Sequence, residues 1–307
     1  MVQRRKYRIL TLDGGGIRSA YTATILIRLA AKFPTLLKSV DLIAGTSAGA
    51  ALGLGLASGK TPQESLQFLI QNAGFVFSNP RPPLNQPEYS NRNLIIAMTQ
   101  FLTGTLRLNQ LKKQVVVPAF QVRTPSGPWR PAVFNNFPGS PNASVRVVDA
   151  AVASQSLPIA FPSYMNFVDG GVFANNPSML GISYGVDRRF GRQRLEDIVL
   201  LSIGTGFNPY RLNGTENWGA IQWSLNPNRN EKFQPTFPLN TVNSDGVNEI
   251  DTQYSQSLLN DRFNRINVNL GAEAVAADDV SAIPRMIALG KQSNLTRAES
   301  FIRTRWF

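Results

Sequence analysis

Short apolar runs alternate with longer amphipathic segments over most of the chain. Three of the runs predict buried β-strands: Tyr7–Leu12, 40–44 and Ile198–Ile203. Segments with apolar residues at helical spacing lie between them, including 17–33 and 48–58. Such alternation predicts an α/β fold of three layers, in which a mostly parallel sheet is covered by helices on both faces.

The rest of the chain predicts further helices, strands and one long loop of the same α/β fold. The sequence Thr61-Pro62-Gln63-Glu64 is a capping box with proline at the first helical position, so a helix begins there. The segment 78–90 contains four prolines and is predicted to be a surface loop, either a lid over a site or only a connection. Further strands are predicted at 114–122, 132–137 and 266–270, and further helices at 93–102, 147–155, 178–190, 247–259 and 281–303.

Two residue types are missing from the 307-residue chain, and their absence narrows the chemistry. The chain contains no cysteine, which excludes disulfides, thiolate metal sites and a cysteine nucleophile. It contains no histidine, which excludes the Ser-His-Asp triad and histidine metal ligands. Any enzymatic activity must therefore use carboxylates, hydroxyls, Lys, Arg, Tyr and backbone dipoles, and we expect no cofactor and no metal.

The charge is strongly positive, with 31 Lys and Arg against 19 Asp and Glu and a net charge of +12. This balance favours either a plain solvated basic surface or an anionic partner such as a membrane surface. Short basic clusters occur at 4–6, at 188–189 and around Arg303 and Arg305. No nucleic-acid-binding motif accompanies the charge, so we expect no nucleic acid partner.

The apolar runs also bear on where the protein acts. None reaches the roughly 20 residues that a membrane span requires, and the first run is too short for a signal peptide. We expect a cytoplasmic protein that is peripheral at membranes, or one secreted by a route without a signal peptide.

A serine motif follows the second predicted strand. Gly45-Thr46-Ser47-Ala48-Gly49 fits the pattern G-x-S-x-G, in which a sharp strand-to-helix turn exposes the serine hydroxyl. The strand at 40–44 and the small-residue helix at 48–58 supply the required context. The alternative is a glycine-rich turn with no catalytic role.

Two further glycine-rich segments follow predicted strands. Asp13-Gly14-Gly15-Gly16-Ile17-Arg18 opens a helix, where backbone N–H groups can hold an oxyanion or a phosphate. Ser19 stands where the dinucleotide fingerprint needs a third glycine or alanine, which argues against a nucleotide. Arg18 is either a guanidinium that faces the site or a solvated helix residue.

The third segment is Asp169-Gly170-Gly171, a triplet that by itself is usually a turn. All three segments are predicted at the carboxyl ends of strands, where sites form in open α/β sheets. Without histidine, Ser47 needs another base, and Asp169 is the natural candidate.

In this order and spacing, the three motifs resemble the patatin-like phospholipases over about residues 7–205. The resemblance implies a Ser-Asp dyad in which Ser47 is the nucleophile and Asp169 the base. It also implies that Gly14, Gly15, Gly16 and Arg18 form the oxyanion region, with Gly45, Gly49, Gly170 and Gly171 shaping the turns. Leu157 differs from the family, in which alanine is common before the proline, and no motif maps onto the last hundred residues.

The predicted function is therefore hydrolysis of fatty-acyl esters of phospholipids or other acyl lipids by one domain spanning 1–307. An acyl channel is expected within 68–77 and 94–102, although apolar residues at helical spacing are more often plain core. A soluble carboxylesterase or thioesterase with the same dyad is the second hypothesis. A non-catalytic lipid-binding or structural protein is the third hypothesis. The hypothesis of a nucleic-acid-binding protein is supported by the net charge alone.

Overall fold

A seven-stranded β-sheet lies at the centre of the computed structural model, which describes residues 5–124 and 127–307. The order across the sheet is β4-β3-β2-β1-β6-β7, with β5 also paired to β3. Neighbouring strands from β3 to β7 in this order are parallel, whereas β4 and β5 run antiparallel to β3. The strands are β1 (Tyr7–Leu12), β2 (Leu42–Gly45), β3 (Gln114–Gln121), β4 (Arg130–Asn135), β5 (Phe167–Asp169), β6 (Ile198–Ile203) and β7 (Phe263–Ile266).

Helices cover both faces of this sheet, so the predicted three-layer α/β architecture is confirmed. A short 3-10 turn, Gly16–Arg18, leads into the first helix, and one π-helical turn, Ile302–Trp306, follows the last. The helices are α1 (Ser19–Lys32), α2 (Leu36–Ser39), α3 (Ala48–Ala57), α4 (Pro62–Val76), α5 (Asn91–Leu102), α6 (Val147–Gln155), α7 (Gly171–Ala174), α8 (Ser178–Val186), α9 (Ala220–Ser224), α10 (Pro238–Leu259), α11 (Ile283–Gln292) and α12 (Thr296–Phe301).

Alternate residues of the strands enter two separate hydrophobic cores. In β1, Leu10 and Leu12 pack into the larger core with α1, α3, α4, α5, α6, α11 and α12. Tyr7 and Ile9 of the same strand pack into the smaller core with α8 and the end of α10. Because successive side chains of a strand point to opposite faces, β1 is buried on both faces of the sheet.

The pairing of β3 places the ends of two other strands together. Residues 114–116 of β3 pair with β2, and residues 119–121 of the same strand pair with β5. Because β4 occupies the other edge of β3, β5 continues the line of β2 beyond its carboxyl end. Asp169 is the last residue of β5 and lies opposite Ala119, at the end of β5 that is nearer to β2.

The structure corrects several predicted boundaries in the last hundred residues. The strand predicted at 266–270 is wrong in position, because β7 pairs with β6 from Leu200↔Phe263 to Ile203↔Ile266 and ends where β6 ends. The single helix predicted at 281–303 is interrupted, since the extended backbone of Ser293 ends α11. The helix predicted at 247–259 begins nine residues earlier, at Pro238.

The proline-rich segment 78–90 contains neither helix nor strand, as predicted. Its last residues are held by backbone hydrogen bonds from Glu88 to Ile159 and from Tyr89 to Ala160. Among the described residues, no helix is long and apolar enough to cross a membrane. Arg4, which belongs to the basic cluster at 4–6, lies outside the described residues.

Candidate active site

Ser47 occupies a sharp turn between β2 and α3. Its backbone has φ 53° and ψ −125°, a conformation that non-glycine residues rarely adopt. A Cβ atom on Gly45 would lie 2.4 Å from the carbonyl oxygen of Gly49, and one on Gly49 would lie 2.3 Å from that of Leu12. Both glycines are therefore required for the helix to start so close to the ends of β1 and β2. The arrangement is that of a nucleophile elbow.

Hydrogen bonds from distant parts of the chain hold this turn. The backbone N–H of Ser47 donates to Ser154 Oγ on α6 at 3.0 Å. Thr46 donates through its N–H to the Leu12 carbonyl at 3.1 Å and through its hydroxyl to the Ala174 carbonyl at 2.6 Å. Three separate elements, β1, α6 and α7, thus hold the strained turn at Thr46 and at the Ser47 N–H.

Asp169 lies beside this turn, as the register of β5 requires, and its side chain is only 1% exposed. The Ser47 hydroxyl lies close enough to this carboxyl to lower its pKa. The N–H of Gly171 donates to Asp169 Oδ1 at 2.7 Å, and the Asp169 N–H donates to the Ser156 carbonyl at 2.9 Å. The Ser-Asp pair of the sequence motifs is therefore brought close together.

Burial sets the proton affinity of this carboxyl. Desolvation raises the pKa of Asp169 from 3.8 to about 7, while the Ser47 hydroxyl and the hydrogen bond from Gly171 act in the opposite direction. A carboxylate with a pKa near neutrality can accept a proton from a bound hydroxyl far better than an ordinary aspartate.

The glycine loop after β1 runs directly past the serine. A Cβ atom on Gly14 would lie 3.1 Å from Ser47 Cβ and 2.2 Å from Asn175 Oδ1, so only glycine fits there. The N–H of Gly14 already donates to the backbone carbonyl of Asn175 at 3.0 Å. Within the described chain, the N–H groups of Gly15 and Gly16 make no hydrogen bond and remain available to a ligand.

Arg18 is half-buried at the end of this loop and is not a solvated helix residue. Its Nε atom donates to the carbonyl of Gly15 at 3.4 Å. Burial lowers the pKa of Arg18, while the charges of Tyr210 and Asp245 oppose that effect. The guanidinium therefore supports the glycine loop from the side of the last hundred residues.

Sequence reasoning missed several residues that hold the site together. Arg265 of β7 makes an ion pair with the buried Asp13, with Nη2 at 2.5 Å from Oδ2, and also donates to Ser202 Oγ at 2.7 Å. Asn175 holds Gly14, and Ser154 holds Ser47. The nearby Asn-Asn-Pro that follows Asp169-Gly170-Gly171 is the one local signal in the sequence.

Metal ligation finds no support in the described part of the molecule. No group of three or more acidic side chains is close enough together there to hold an ion. The site contains a hydroxyl, a buried carboxyl and free backbone N–H groups, and these are the groups that acyl transfer requires.

Comparison with known proteins finds one matching family and several relatives of this chain. The sequence profile of the patatin-like phospholipases matches residues 10–181. The chain is 33% identical to Protein teg of Priestia megaterium, covering 98% of this chain and 99% of that one. It is 32% identical to the putative sporulation hydrolase CotR of Bacillus subtilis, covering 98% of each.

A more distant relative has a phospholipase activity in its name. The chain is 28% identical to the cGAMP-activated phospholipase of Vibrio cholerae, over 68% of this chain and 67% of that one. The matched region of the family profile includes the glycine loop, the serine turn and Asp169. The chain belongs to the patatin-like phospholipase family and is a lipid ester hydrolase.

Proposed function

We propose that the protein hydrolyses fatty-acyl esters of lipids by an acyl-enzyme mechanism in which Ser47 is the nucleophile and Asp169 the base. The closeness of the Ser47 hydroxyl to the buried Asp169 carboxyl, whose pKa it lowers, is the observation that carries this proposal. Because the chain lacks histidine and cysteine, neither residue can form a dyad with an imidazole or a thiol.

The first half of the reaction would acylate the enzyme. Ser47 Oγ attacks the ester carbonyl carbon while Asp169 takes the hydroxyl proton. The negative charge on the carbonyl oxygen is held by the N–H groups of Gly15 and Gly16, because the N–H of Gly14 is already bonded to Asn175. The intermediate then collapses, the alcohol leaves, and Asp169 gives it the proton.

The second half would release the fatty acid. Water attacks the acyl-Ser47 carbonyl, and Asp169 accepts the proton of that water. Collapse of the second intermediate breaks the acyl bond and returns the proton from Asp169 to Ser47 Oγ. The products are a free fatty acid and the regenerated dyad.

Release of fatty acid from mixed phospholipid vesicles tests this function. We expect Ser47→Ala to abolish release and Asp169→Asn to reduce it by at least a thousandfold, since residues of such a dyad act as a unit. Ser58→Ala is the matched control, because Ser58 caps the other end of α3 and its hydroxyl donates to the carbonyl of Gly55. Release that persists in Ser47→Ala would contradict the proposed nucleophile.

The same proposal includes a membrane-facing surface at the end of β3, for a cytoplasmic protein of one domain that acts peripherally at membranes. Val122, Trp129 and Met165 are exposed there, and the Val122 N–H donates to the carbonyl of Asn166 next to Met165. Trp129 is 71% exposed. We call these three residues the β3 patch.

Charge and position both favour an anionic bilayer at the β3 patch. The exposed cations Arg123 and Arg130 flank the patch, and the chain as a whole carries a net charge of +12. Indole side chains prefer the interface between lipid and water. The patch lies just beyond the end of β3, the strand whose partner β5 carries Asp169, so docking there would bring lipid close to the dyad.

Sedimentation with vesicles tests the β3 patch separately from catalysis. We expect binding to anionic vesicles to fall several-fold in Trp129→Ala and in wild-type protein when salt rises from about 0.05 to about 0.5 M. Phe75→Ala is the control, because Phe75 is an exposed aromatic residue on α4. Binding that ignores both salt and Trp129 would contradict membrane docking at this surface.

A further inference from the structure

A small cavity of about 60 Å³ lies next to the serine turn, where Ala48 forms part of its wall. Its lining includes Ala48, Ser19 and Gln155. Ala48 follows Ser47, Ser19 follows the glycine loop, and Gln155 follows the Ser154 that holds the Ser47 N–H. Residues next to three segments of the site therefore line the cavity, whereas Ser47 and Asp169 are not among its lining residues.

The rest of this cavity is mostly apolar. Leu69 of α4 and Met98 of α5 line it, together with Ala51 of α3 and the aromatic residues Phe68 and Phe101. No described charged side chain is part of the lining. A pocket of this composition suits a hydrocarbon chain attached to a carbonyl at Ser47.

Phe68 and Phe101 form the boundary between this cavity and the protein surface. Their rings are stacked, with centroids 4.3 Å apart and planes inclined by 19°. Both residues also line a second space, an open groove of about 470 Å³ along α4 and α5. That outer groove is otherwise polar, with Gln63, Gln67 and Gln71 among its lining.

Packing from α3 holds one of the two rings in place. Phe101 is buried, and a Cβ atom on Gly55 would lie 2.8 Å from its Cζ atom. The absence of a side chain at Gly55 is what lets the Phe101 ring lie against α3. Phe68 is only half-buried, so it is the ring with room to turn toward the groove.

We propose that the Phe68–Phe101 pair closes the acyl pocket and determines the length of acyl chain that the enzyme accepts. This inference rests on the proposed Ser47-Asp169 mechanism. The cavity, at about 60 Å³, is far smaller than a usual ligand pocket of roughly 300–1,000 Å³, and it therefore admits only short acyl groups. Longer chains must displace the ring pair and continue into the groove along α4 and α5.

Hydrolysis of p-nitrophenyl butyrate and octanoate by the full-length protein tests the pair. We expect the native enzyme to have the higher kcat/KM for butyrate. Removing either ring joins the two spaces, so Phe68→Ala and Phe101→Ala should each raise the octanoate-to-butyrate ratio of kcat/KM at least tenfold. Phe77→Ala is the matched control, because Phe77 is also half-buried, caps α4 and packs with Tyr89 and Phe161 instead.

The possible outcomes distinguish a failure of this inference from a failure of the proposed Ser47-Asp169 mechanism. A folded Phe68→Ala or Phe101→Ala protein with an unchanged ratio overturns the inference, as does a native preference for octanoate. Should the buried Phe101 position not tolerate alanine, Phe68→Ala and Phe101→Leu carry the test. Hydrolysis of both esters by Ser47→Ala would instead overturn the mechanism itself.

Discussion

At the scale of single residues, the site depends on the burial of one carboxyl. The Ser47 hydroxyl and the hydrogen bond from Gly171 favour the charged form of Asp169, yet desolvation outweighs them and raises its pKa to about 7. An exposed aspartate with the same neighbours would be a much weaker base. Burial at the end of β5 is thus as important as the residue type.

The pH dependence of activity follows from that pKa. The base must be unprotonated to accept the serine proton, so kcat/KM should rise with pH through about 7 and increase about tenfold from pH 6 to pH 8. A pH profile on a soluble ester measures this. Asp251→Asn is the control, because burial also raises the pKa of Asp251 to about 7, with the charge of Asp13 adding to it. Loss of the rise in kcat/KM with pH in Asp251→Asn would show that Asp251, and not Asp169, is the titrating group.

Protonation of Asp169 should also affect the stability of the fold, which is greater at low pH, whereas activity is greater at high pH. The native state keeps the Asp169 proton up to about pH 7, whereas the unfolded chain releases it near 3.8. The contribution to the free energy of unfolding is therefore complete below about pH 4 and is lost as pH rises through 7, by up to about 4 kcal/mol. Urea unfolding of Asp169→Asn should show a smaller decline over this range than the native protein. Parallel declines would show that Asp169 is not buried as described.

At the scale of elements, the junction of β1, β2 and α3 is packed backbone against backbone. A Cβ atom on Gly49 would lie 2.3 Å from the Leu12 carbonyl oxygen and 2.5 Å from that of Asp13. We expect Gly49→Ala to destabilise the fold by at least 3 kcal/mol and to abolish activity, measured by thermal melting and ester hydrolysis.

The matched control for Gly49 is a glycine in open space on another helix. An added Cβ on Gly74 of α4 meets nothing within 4 Å. Gly74→Ala should therefore leave activity unchanged and stabilise the protein by about 0.5–1 kcal/mol, because alanine costs less backbone entropy in a helix. Equal effects of the two substitutions would mean that the junction is not tightly packed.

How well the sequence predicts these elements depends on how local their causes are. The serine turn, the capping box at Thr61 and strand β1 were predictable, because each is signalled by residues close together in the sequence, although distant residues also hold the serine turn. The position of β7 was not, since it is set by pairing with β6 more than sixty residues earlier. The roles of Asn175 and Arg265 were hidden for the same reason, because each acts on residues more than a hundred positions away.

At the scale of the whole molecule, one ion pair joins the last hundred residues to the site. Arg265 lies on β7, and its partner Asp13 begins the glycine loop 252 positions earlier. Both side chains are largely buried, at 11% and 4% exposure. The segment that carries no family motif therefore contributes directly to holding the glycine loop.

Removing one partner of this pair should be costly. Arg265→Met leaves the Asp13 carboxylate buried without its counter-charge, and we expect a loss of about 3–5 kcal/mol in the free energy of unfolding. The double variant Asp13→Asn with Arg265→Met should recover part of that loss, because no unpaired charge remains. Additive losses in urea unfolding would show that the two residues do not interact.

Labelling with a fluorophosphonate, followed by peptide mapping, is the measurement that bears on the dyad most directly. Attack of the activated serine on phosphorus expels fluoride and leaves a stable covalent adduct. We predict one adduct on Ser47, none in Ser47→Ala, and labelling slowed by at least a hundredfold in Asp169→Asn. An adduct on another serine, or equally rapid labelling in Asp169→Asn, would contradict the assignment of Ser47 as a nucleophile activated by Asp169.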